Sequence, residues 1–160
     1  TPVLIRDRLW WLPRGCVVDL DDGRSMMAMG GAVSIDKPWR RQGIDWWPGE
    51  EITQADIEFA MNEIDTNGPV DILLTHDAPS HLTLHRIMAN HTPMPINRTL
   101  ELQSAAHRKI IADVFDFSGA KTLVHGHYHA SQRTTLDDGR KVIGLSQERT
   151  KGAFIGLDRV

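Results

Sequence analysis

One segment of this sequence runs Val70-Asp71-Ile72-Leu73-Leu74-Thr75-His76-Asp77-Ala78-Pro79. A short, almost continuous apolar run of this kind is typical of a strand that is buried on both faces. The run leads directly into a histidine. We therefore predict a buried strand over residues 70–74 that delivers His76 at its carboxyl end.

The same pattern occurs again about fifty residues further on. Residues 122–124 form a second short apolar run, and it ends in His125-Gly126-His127-Tyr128-His129. A helix is predicted before each strand, one starting at a capping-box-like Thr53 and one over 99–117 that Gly119 closes. Alternating strands and helices predict an α/β fold whose sites lie at the carboxyl edge of the sheet. The two histidine clusters should therefore converge.

Three of these histidines have the pattern of metal ligands. His127 and His129 are two residues apart, so an extended segment would point both to one side and His125 away. Neutral imidazole is a common ligand for zinc, manganese and iron. We predict His76, His127 and His129 as ligands. The remaining histidines are predicted as ordinary surface side chains, on a helix or in the polar segment 80–98: His81, His85, His91 and His107.

The rest of the chain is predicted as strands and loops. An Asp-Gly pair is a strong turn signal, and it predicts a hairpin within residues 9–31. The segment 37–51 holds three of the five tryptophans and is predicted as an ordered loop. The residues 80–98 should form a long surface loop. The predicted strands are Leu9–Leu12, Cys16–Leu20, Ser25–Met29, Ser131–Leu136, Lys141–Leu145 and Phe154–Leu157.

Composition narrows the class of protein. The 160 residues carry a formal charge of -3 and contain no run of Lys and Arg, which disfavours nucleic-acid binding. No stretch approaches the length of a membrane span, so no membrane association is predicted. The single Cys16, predicted as a small buried apolar residue, fits a reducing compartment, and we predict a cytoplasmic location.

The motif 75–79, followed by Gly126-His127-Tyr128-His129, resembles the last two motifs of the calcineurin-like metallophosphoesterases. The segment from Gly30 through Asp36 to Trp46-Trp47 and Glu50 is also similar to bacterial and phage members, so the resemblance covers nearly the whole chain. It implies a two-sheet α/β/β/α sandwich and hydrolysis of a phosphate ester by a metal-activated water. It further implies two divalent ions (Mn, Fe, Zn or Ni, with Mn favoured), with His76 and His127 on one ion and His129 on the other.

The family's earlier motifs, an Asp-x-His, a Gly-Asp and a Gly-Asn-His-Asp/Glu, do not occur in this sequence. They supply the remaining ligands, including the bridging Asp, and the histidine that protonates the leaving group. None of Asp36, Asp45 and Asp77 stands in the bridging position. Residues 1–160 are therefore expected to be the C-terminal portion of one metallophosphoesterase domain, completed by an N-terminal segment or chain. Such a portion, with exposed sheet edges, should be poorly soluble unless paired.

Several alternatives remain open. The metallo-β-lactamase pattern continues from His-x-His to Asp-His, whereas Ala130 and Ser131 follow His129 here, which argues against it. A mononuclear three-histidine zinc enzyme is conceivable. So is a non-catalytic remnant in which Trp39, Trp46 and Trp47 bind a partner, although packing beneath a loop is the plainer expectation. Arg40 and Arg41 are weak candidates for binding a substrate phosphate as bidentate donors.

Overall fold

A computed structural model describes residues 1–34, 36–83, 87 and 97–160 of the chain. The fold is mixed α/β. The described residues form a six-stranded mixed sheet, a separate two-stranded sheet and two helices. In chain order the elements are β1 Val3–Arg6, β2 Leu9–Trp11, β3 Val17–Asp19, β4 Ser25–Met29, α1 Gln54–Asn67, β5 Ile72–Thr75, α2 Arg98–Ser118, β6 Thr122–His125, β7 Gln132–Thr135 and β8 Lys141–Gly144.

Local sequence signals set the bounds of both helices. The side chain of Thr53 accepts a hydrogen bond from the amide of Asp56, whose carboxylate bonds back to the amide of Thr53. This reciprocal pair satisfies two amides that the first turn leaves free. α2 ends at Gly119, which adopts a left-handed conformation with φ of 72°. Both predicted helices are confirmed, each to within a residue or two.

The large sheet has the strand order β3-β4-β5-β6-β8-β7, in which β4, β5, β6 and β8 are parallel. The hairpin partners β3 and β7 pair antiparallel at the two edges. α1 connects β4 to β5 and α2 connects β5 to β6, and the two helices pack against each other. Right-handed crossovers that advance in one direction place both helices on the same face of the sheet.

The core lies between that face and the helices. Leu73, Leu123 and Val142 are aligned across three neighbouring strands and are fully buried. They pack in one cluster with side chains of α2, among them Ile111 and Phe115. This packing fixes the three strands relative to one another. Because β4, β5 and β6 are neighbouring parallel strands, their carboxyl ends lie side by side at one edge of the sheet.

The predicted strands agree with the structure in part. β3 and β4 form the hairpin expected around Asp22 and Gly23, and β7 and β8 are also confirmed. Leu9–Trp11 pairs with Val3–Arg6 rather than joining the large sheet. The predicted strand Phe154–Leu157 is wrong, because the side chain of Phe154 is 87% exposed and only a 3₁₀ turn follows, at Leu157–Arg159.

Other sequence predictions concern loops and membranes. Residues 36–50 are an ordered loop with 3₁₀ turns at Lys37–Trp39 and Pro48–Glu50, as expected. Most of the predicted surface loop 80–98, including His85 and His91, lies outside the described residues. Cys16 is buried, as predicted. Within the described ranges, neither helix combines the length and the apolar character that crossing a membrane requires.

Candidate metal centre

The three predicted ligands follow two adjacent parallel strands. His76 comes directly after β5, and His127 and His129 come after β6. A backbone hydrogen bond of 3.2 Å from the amide of Gly126 to the carbonyl of His76 joins the two loops. The imidazole rings of His76 and His127 meet edge to face, with centroids 5.0 Å apart. The structure therefore brings His76 and His127 together at the carboxyl edge.

The backbone around His127 and His129 is not extended, and that expectation is wrong. His127 has φ of 65° and His129 has φ of 52°, both in the left-handed region. Tyr128 between them turns inward and is 8% exposed, and its amide bonds to the carbonyl of Gly126 at 2.8 Å. Left-handed conformations cost non-glycine residues about 1–2 kcal/mol each, so the surroundings must impose them.

His129 lies at the surface, and its protonated form would lower the pKa of both His76 and His127. Its carbonyl accepts a hydrogen bond from the hydroxyl of Ser146 at 3.3 Å. His125, by contrast, points into the core, where its ring lies 6.1 Å from that of Tyr128. The histidines of this cluster thus divide into surface candidates for ligands and a core residue.

The surroundings hold the two contacting imidazoles in the neutral form. Loss of water around the ring lowers the pKa of His127 to about 4, against the opposing charge of Asp77. The side chain of His76 reaches the surface, yet partial enclosure still lowers its pKa below the usual value. A neutral imidazole keeps a free nitrogen lone pair at pH 7. Protons therefore compete weakly with a metal ion for these two nitrogens.

The geometry of the pair also fits a shared ion. Metal-bound imidazole nitrogens lie about 2.0–2.1 Å from the ion, so each ring centroid lies about 3.2 Å from it. If each ring turned a nitrogen toward one ion, centroids 5.0 Å apart would subtend about 100° at that ion, within the tetrahedral to octahedral range. In the part of the chain that the structure describes, no group of three or more His, Cys, Asp or Glu side chains is arranged to hold a metal ion.

A buried polar cluster beneath the histidines was missed by sequence reasoning. His107, predicted to be solvated, is only 4% exposed, and that prediction is wrong. Its Nδ1 lies 3.1 Å from Oδ2 of Asp77, which is fully buried. The hydroxyl of Tyr128 donates to Oδ1 of the same carboxylate at 2.7 Å. Leu100, Ser104, His107 and Ile111 are spaced four, three and four residues apart, and this buried stripe was the available signal.

The hydrogen bonds determine the charge of Asp77. Burial alone would raise the pKa of this carboxyl group, but the bonds from His107 and Tyr128 outweigh it and leave the pKa below its usual value. Asp77 is therefore an anion at pH 7 with both oxygens engaged. Asp36, another carboxylate considered above, forms a 2.6 Å ion pair with Arg40. Asp45 accepts a hydrogen bond from the amide of Arg41.

The two arginines proposed for substrate binding lie in the loop between β4 and α1. Besides its ion pair with Asp36, Arg40 donates to the carbonyl of Asp45 at 2.8 Å, so its guanidinium is engaged within the loop. Arg41 is exposed. The contacts of the described residues do not join either arginine to His76 or His127. Phosphate binding by this pair remains a prediction.

The same loop brings the carboxylate of Glu50 to the edge, and the sequence had predicted no role for this residue as a ligand. Glu50 accepts a hydrogen bond from the hydroxyl of Ser34 at 2.7 Å, and its charge acts on His76. Arg14 secures this arrangement by donating to the carbonyls of Gly30 at 2.6 Å, Gly49 at 2.7 Å and Glu50 at 3.1 Å. The loop is thereby held against the end of β4.

The tryptophans of the loop differ in their surroundings. Trp39 is 67% exposed and Trp47 is 50% exposed, so the expectation that they pack beneath the loop is wrong for these two. Trp46 is half-buried, and the ammonium of Lys37 lies 4.1 Å from its ring centroid. Exposed indoles beside a candidate site are suited to contact another surface.

Chemically, the edge offers neutral imidazoles on the outside and a buried carboxylate behind them. Imidazoles are Lewis bases toward a divalent ion. The carboxylate of Asp77 bonds to His107 and Tyr128 rather than to the rings of the candidate ligands. The assignment of a candidate metal site therefore depends on these residues alone. The sequence matches no protein-family model, and no curated protein is significantly similar to it.

Proposed function

We propose that the chain is the C-terminal portion of a metal-dependent hydrolase of phosphate esters, a phosphomonoesterase or phosphodiesterase with a binuclear site. The observation that carries the proposal is the contact between His76 and His127 at adjoining strand ends, with the pKa of both imidazoles lowered. The resemblance of the motifs at 75–79 and 126–129 to calcineurin-like metallophosphoesterases supports it. Manganese is the favoured ion, with iron, zinc and nickel as alternatives.

In this proposal the residues have separate roles. His76 and His127 hold one ion, and His129 holds the other. Two ions about 3.5–4 Å apart activate a water and neutralise the charge of the phosphoryl group. Because neutral imidazoles cannot offset the repulsion between two cations, anionic ligands must come from an N-terminal segment or chain. That partner also supplies the Asn and the histidine that protonates the leaving group.

The proposed architecture is a two-sheet α/β/β/α sandwich in which the six-stranded sheet is the second sheet. Its support is the face opposite to the helices, where alternate residues of the strands are apolar and already buried, including Ile72, Val124 and Ile143. A sheet with two apolar faces favours packing layers on both sides. The free, buried Cys16 supports a cytoplasmic location for the assembly.

Metal analysis and hydrolysis by the protein purified together with the N-terminal segment or chain that completes it test the proposal. His127→Ala should lose bound manganese and lower the rate of p-nitrophenyl phosphate hydrolysis by about 100-fold or more. Loss of a group that only supports a metal ligand already costs about 10–100-fold, and His127 is a proposed ligand itself. His81→Ala is the matched control. The imidazole of His81 lies 3.2 Å from the carboxylate of Asp116 and is not one of the candidate ligands. Two metal equivalents in wild type and His81→Ala are expected. Equal metal content and equal rates in all three proteins would refute the proposal.

One observation favours a second candidate function. The 67% exposure of Trp39 and the 50% exposure of Trp47 suit a module that binds a partner without catalysis. A double Trp39→Ser and Trp47→Ser variant separates the two functions. Retained hydrolysis with loss of a copurifying chain would show that the loop binds that chain and takes no part in hydrolysis. A mononuclear zinc enzyme would instead show a single zinc equivalent in the metal analysis.

A further inference from the structure

A continuous path of hydrogen bonds runs beneath the two histidine loops. The amide of Ile52 donates to Nε2 of His107 at 3.4 Å. Since Nε2 accepts, the ring proton lies on Nδ1, which donates to Oδ2 of Asp77 at 3.1 Å. Oδ1 of Asp77 accepts from the hydroxyl of Tyr128 at 2.7 Å. The path therefore joins the segment before α1, the helix α2 and both histidine loops.

The position of each group in the sequence is informative. Asp77 directly follows His76, and Tyr128 lies between His127 and His129. The carboxylate of Asp77 therefore belongs to the residue next to one candidate ligand. Through the hydroxyl of Tyr128 it is also bonded to the residue between the other two. Both residues are nearly inaccessible, with exposures of 0% and 8%. A buried hydrogen bond to a charged group is about twice as strong as one between neutral groups.

We infer that Asp77 and Tyr128 are positioning residues that fix the backbone of the loops carrying the candidate ligands His76, His127 and His129. The inference rests on the proposed function for the role of the histidines as ligands. For the hydroxyl to reach Asp77, Tyr128 must point into the core, and the backbone on either side must reverse. The left-handed φ values of His127 and His129 are the consequence of this reversal. The 5.0 Å separation of the His76 and His127 rings depends on the same anchor.

A purely structural role for the cluster would have different consequences. It would change the stability of the fold without changing the order of the loop or the environment of a bound ion. Tyr128→Phe separates the two roles because it removes one oxygen and keeps the ring. That ring also lies 4.8 Å from His127 and 6.1 Å from His125, so its packing persists in the variant.

A matched control removes a buried hydroxyl at the other edge of the sheet. Ser118 is fully buried at the end of α2, where its hydroxyl bonds to the carbonyl of Phe115 at 3.2 Å. Its own carbonyl accepts from the amide of Val70, just before β5 begins. Ser118→Ala therefore deletes a comparable group at the amino edge, remote from the histidines.

Two readouts on the purified protein, with its N-terminal partner where one copurifies, test the inference. The first is ¹⁵N relaxation of the His127 and His129 amides without metal. The second is titration with Co²⁺ followed by visible absorption. Tyr128→Phe should make both amides mobile and weaken Co²⁺ binding by about 10-fold or more, as losses behind metal ligands do. Ser118→Ala should change neither.

The outcomes distinguish the inference from the proposed function. Unchanged amide relaxation in Tyr128→Phe overturns the inference, whatever the cobalt titration shows. Mobile amides with weakened Co²⁺ binding support it. If the wild-type protein binds no Co²⁺ at all, the proposed function fails, and the relaxation data still decide whether the hydroxyl holds the loop.

Discussion

The carboxyl edge of the large sheet and the β1–β2 hairpin depart from the usual distribution of polar and apolar groups in opposite ways. At the edge, Asp77 and His107 are polar and buried, with exposures of 0% and 4%. In the hairpin, Trp10 and Trp11 are apolar and exposed, at 55% and 57%. The buried polar groups at the edge are hydrogen-bonded to other residues of the chain, whereas the strands of the hairpin pack chiefly against each other.

This difference separates a buried polar cluster from an exposed apolar surface. A buried anion is stable only when partners surround it, and His107 and Tyr128 provide them for Asp77 at the edge. Exposed large apolar side chains gain free energy when another surface covers them, so the hairpin is suited to a contact that the chain does not make itself. If the contrast is correct, substitutions at the edge should lower stability and substitutions in the hairpin should alter association.

The largest loss of stability should follow Asp77→Ala. The substitution leaves the hydroxyl of Tyr128 and Nδ1 of His107 without their acceptor in a buried place. Groups left unpaired in this way cost about 3 kcal/mol or more of unfolding free energy. Urea unfolding followed by circular dichroism measures the loss. Asp113→Ala is the control, because its exposed pair with Lys109 on α2 contributes less than about 0.5 kcal/mol. Similar losses in the two variants would remove the distinction between edge and surface.

A smaller loss, about 2 kcal/mol, is expected for Gly31→Ala. Gly31 has φ of 130°, and an added Cβ would lie 2.8 Å from the carbonyl oxygen of Glu50. The clash is with backbone, so the loop that carries Glu50 must move away from the end of β4. Gly30→Ala is the neighbouring control, since an added Cβ there meets no atom within 4 Å. Chemical denaturation of both variants checks the difference, and equal stabilities would show that the loop yields freely.

Sequence patterns predicted the parts of the fold that local chemistry controls. The apolar run before His76 and the capping box at Thr53 each depend on neighbouring residues, and both elements form, although the strand spans Ile72–Thr75 rather than the predicted 70–74. The convergence of the two histidine loops followed from the rule that parallel strands end at one edge. His76 and His127 were therefore found without a structure, and their roles as ligands remain a prediction.

The parts that the sequence did not predict depend on contacts between distant residues. His107 was expected in water, but its partner Asp77 is thirty residues away, and only the fold brings them together. The reversed backbone at His127 and His129 likewise lies on either side of Tyr128, whose hydroxyl bonds to Asp77 across 51 residues of sequence. Period-2 alternation describes a strand, and it fails where a strand has ended and a buried side chain sets the direction of the backbone.

The smallest effect on stability is expected for Trp11→Ser in the hairpin. Because the indole is 57% exposed and β2 packs chiefly against β1, the unfolding free energy should change by less than about 1 kcal/mol. Association should change more, since the substitution removes apolar surface that favours contact with other chains. Sedimentation velocity should show less self-association or less bound partner in Trp11→Ser than in wild type. Trp46→Ser, at the half-buried indole beside Lys37, is the control and should lower stability more. A large loss of stability for Trp11→Ser with unchanged association would mean that the hairpin belongs to the chain's own core, and the contrast with the carboxyl edge would then fail.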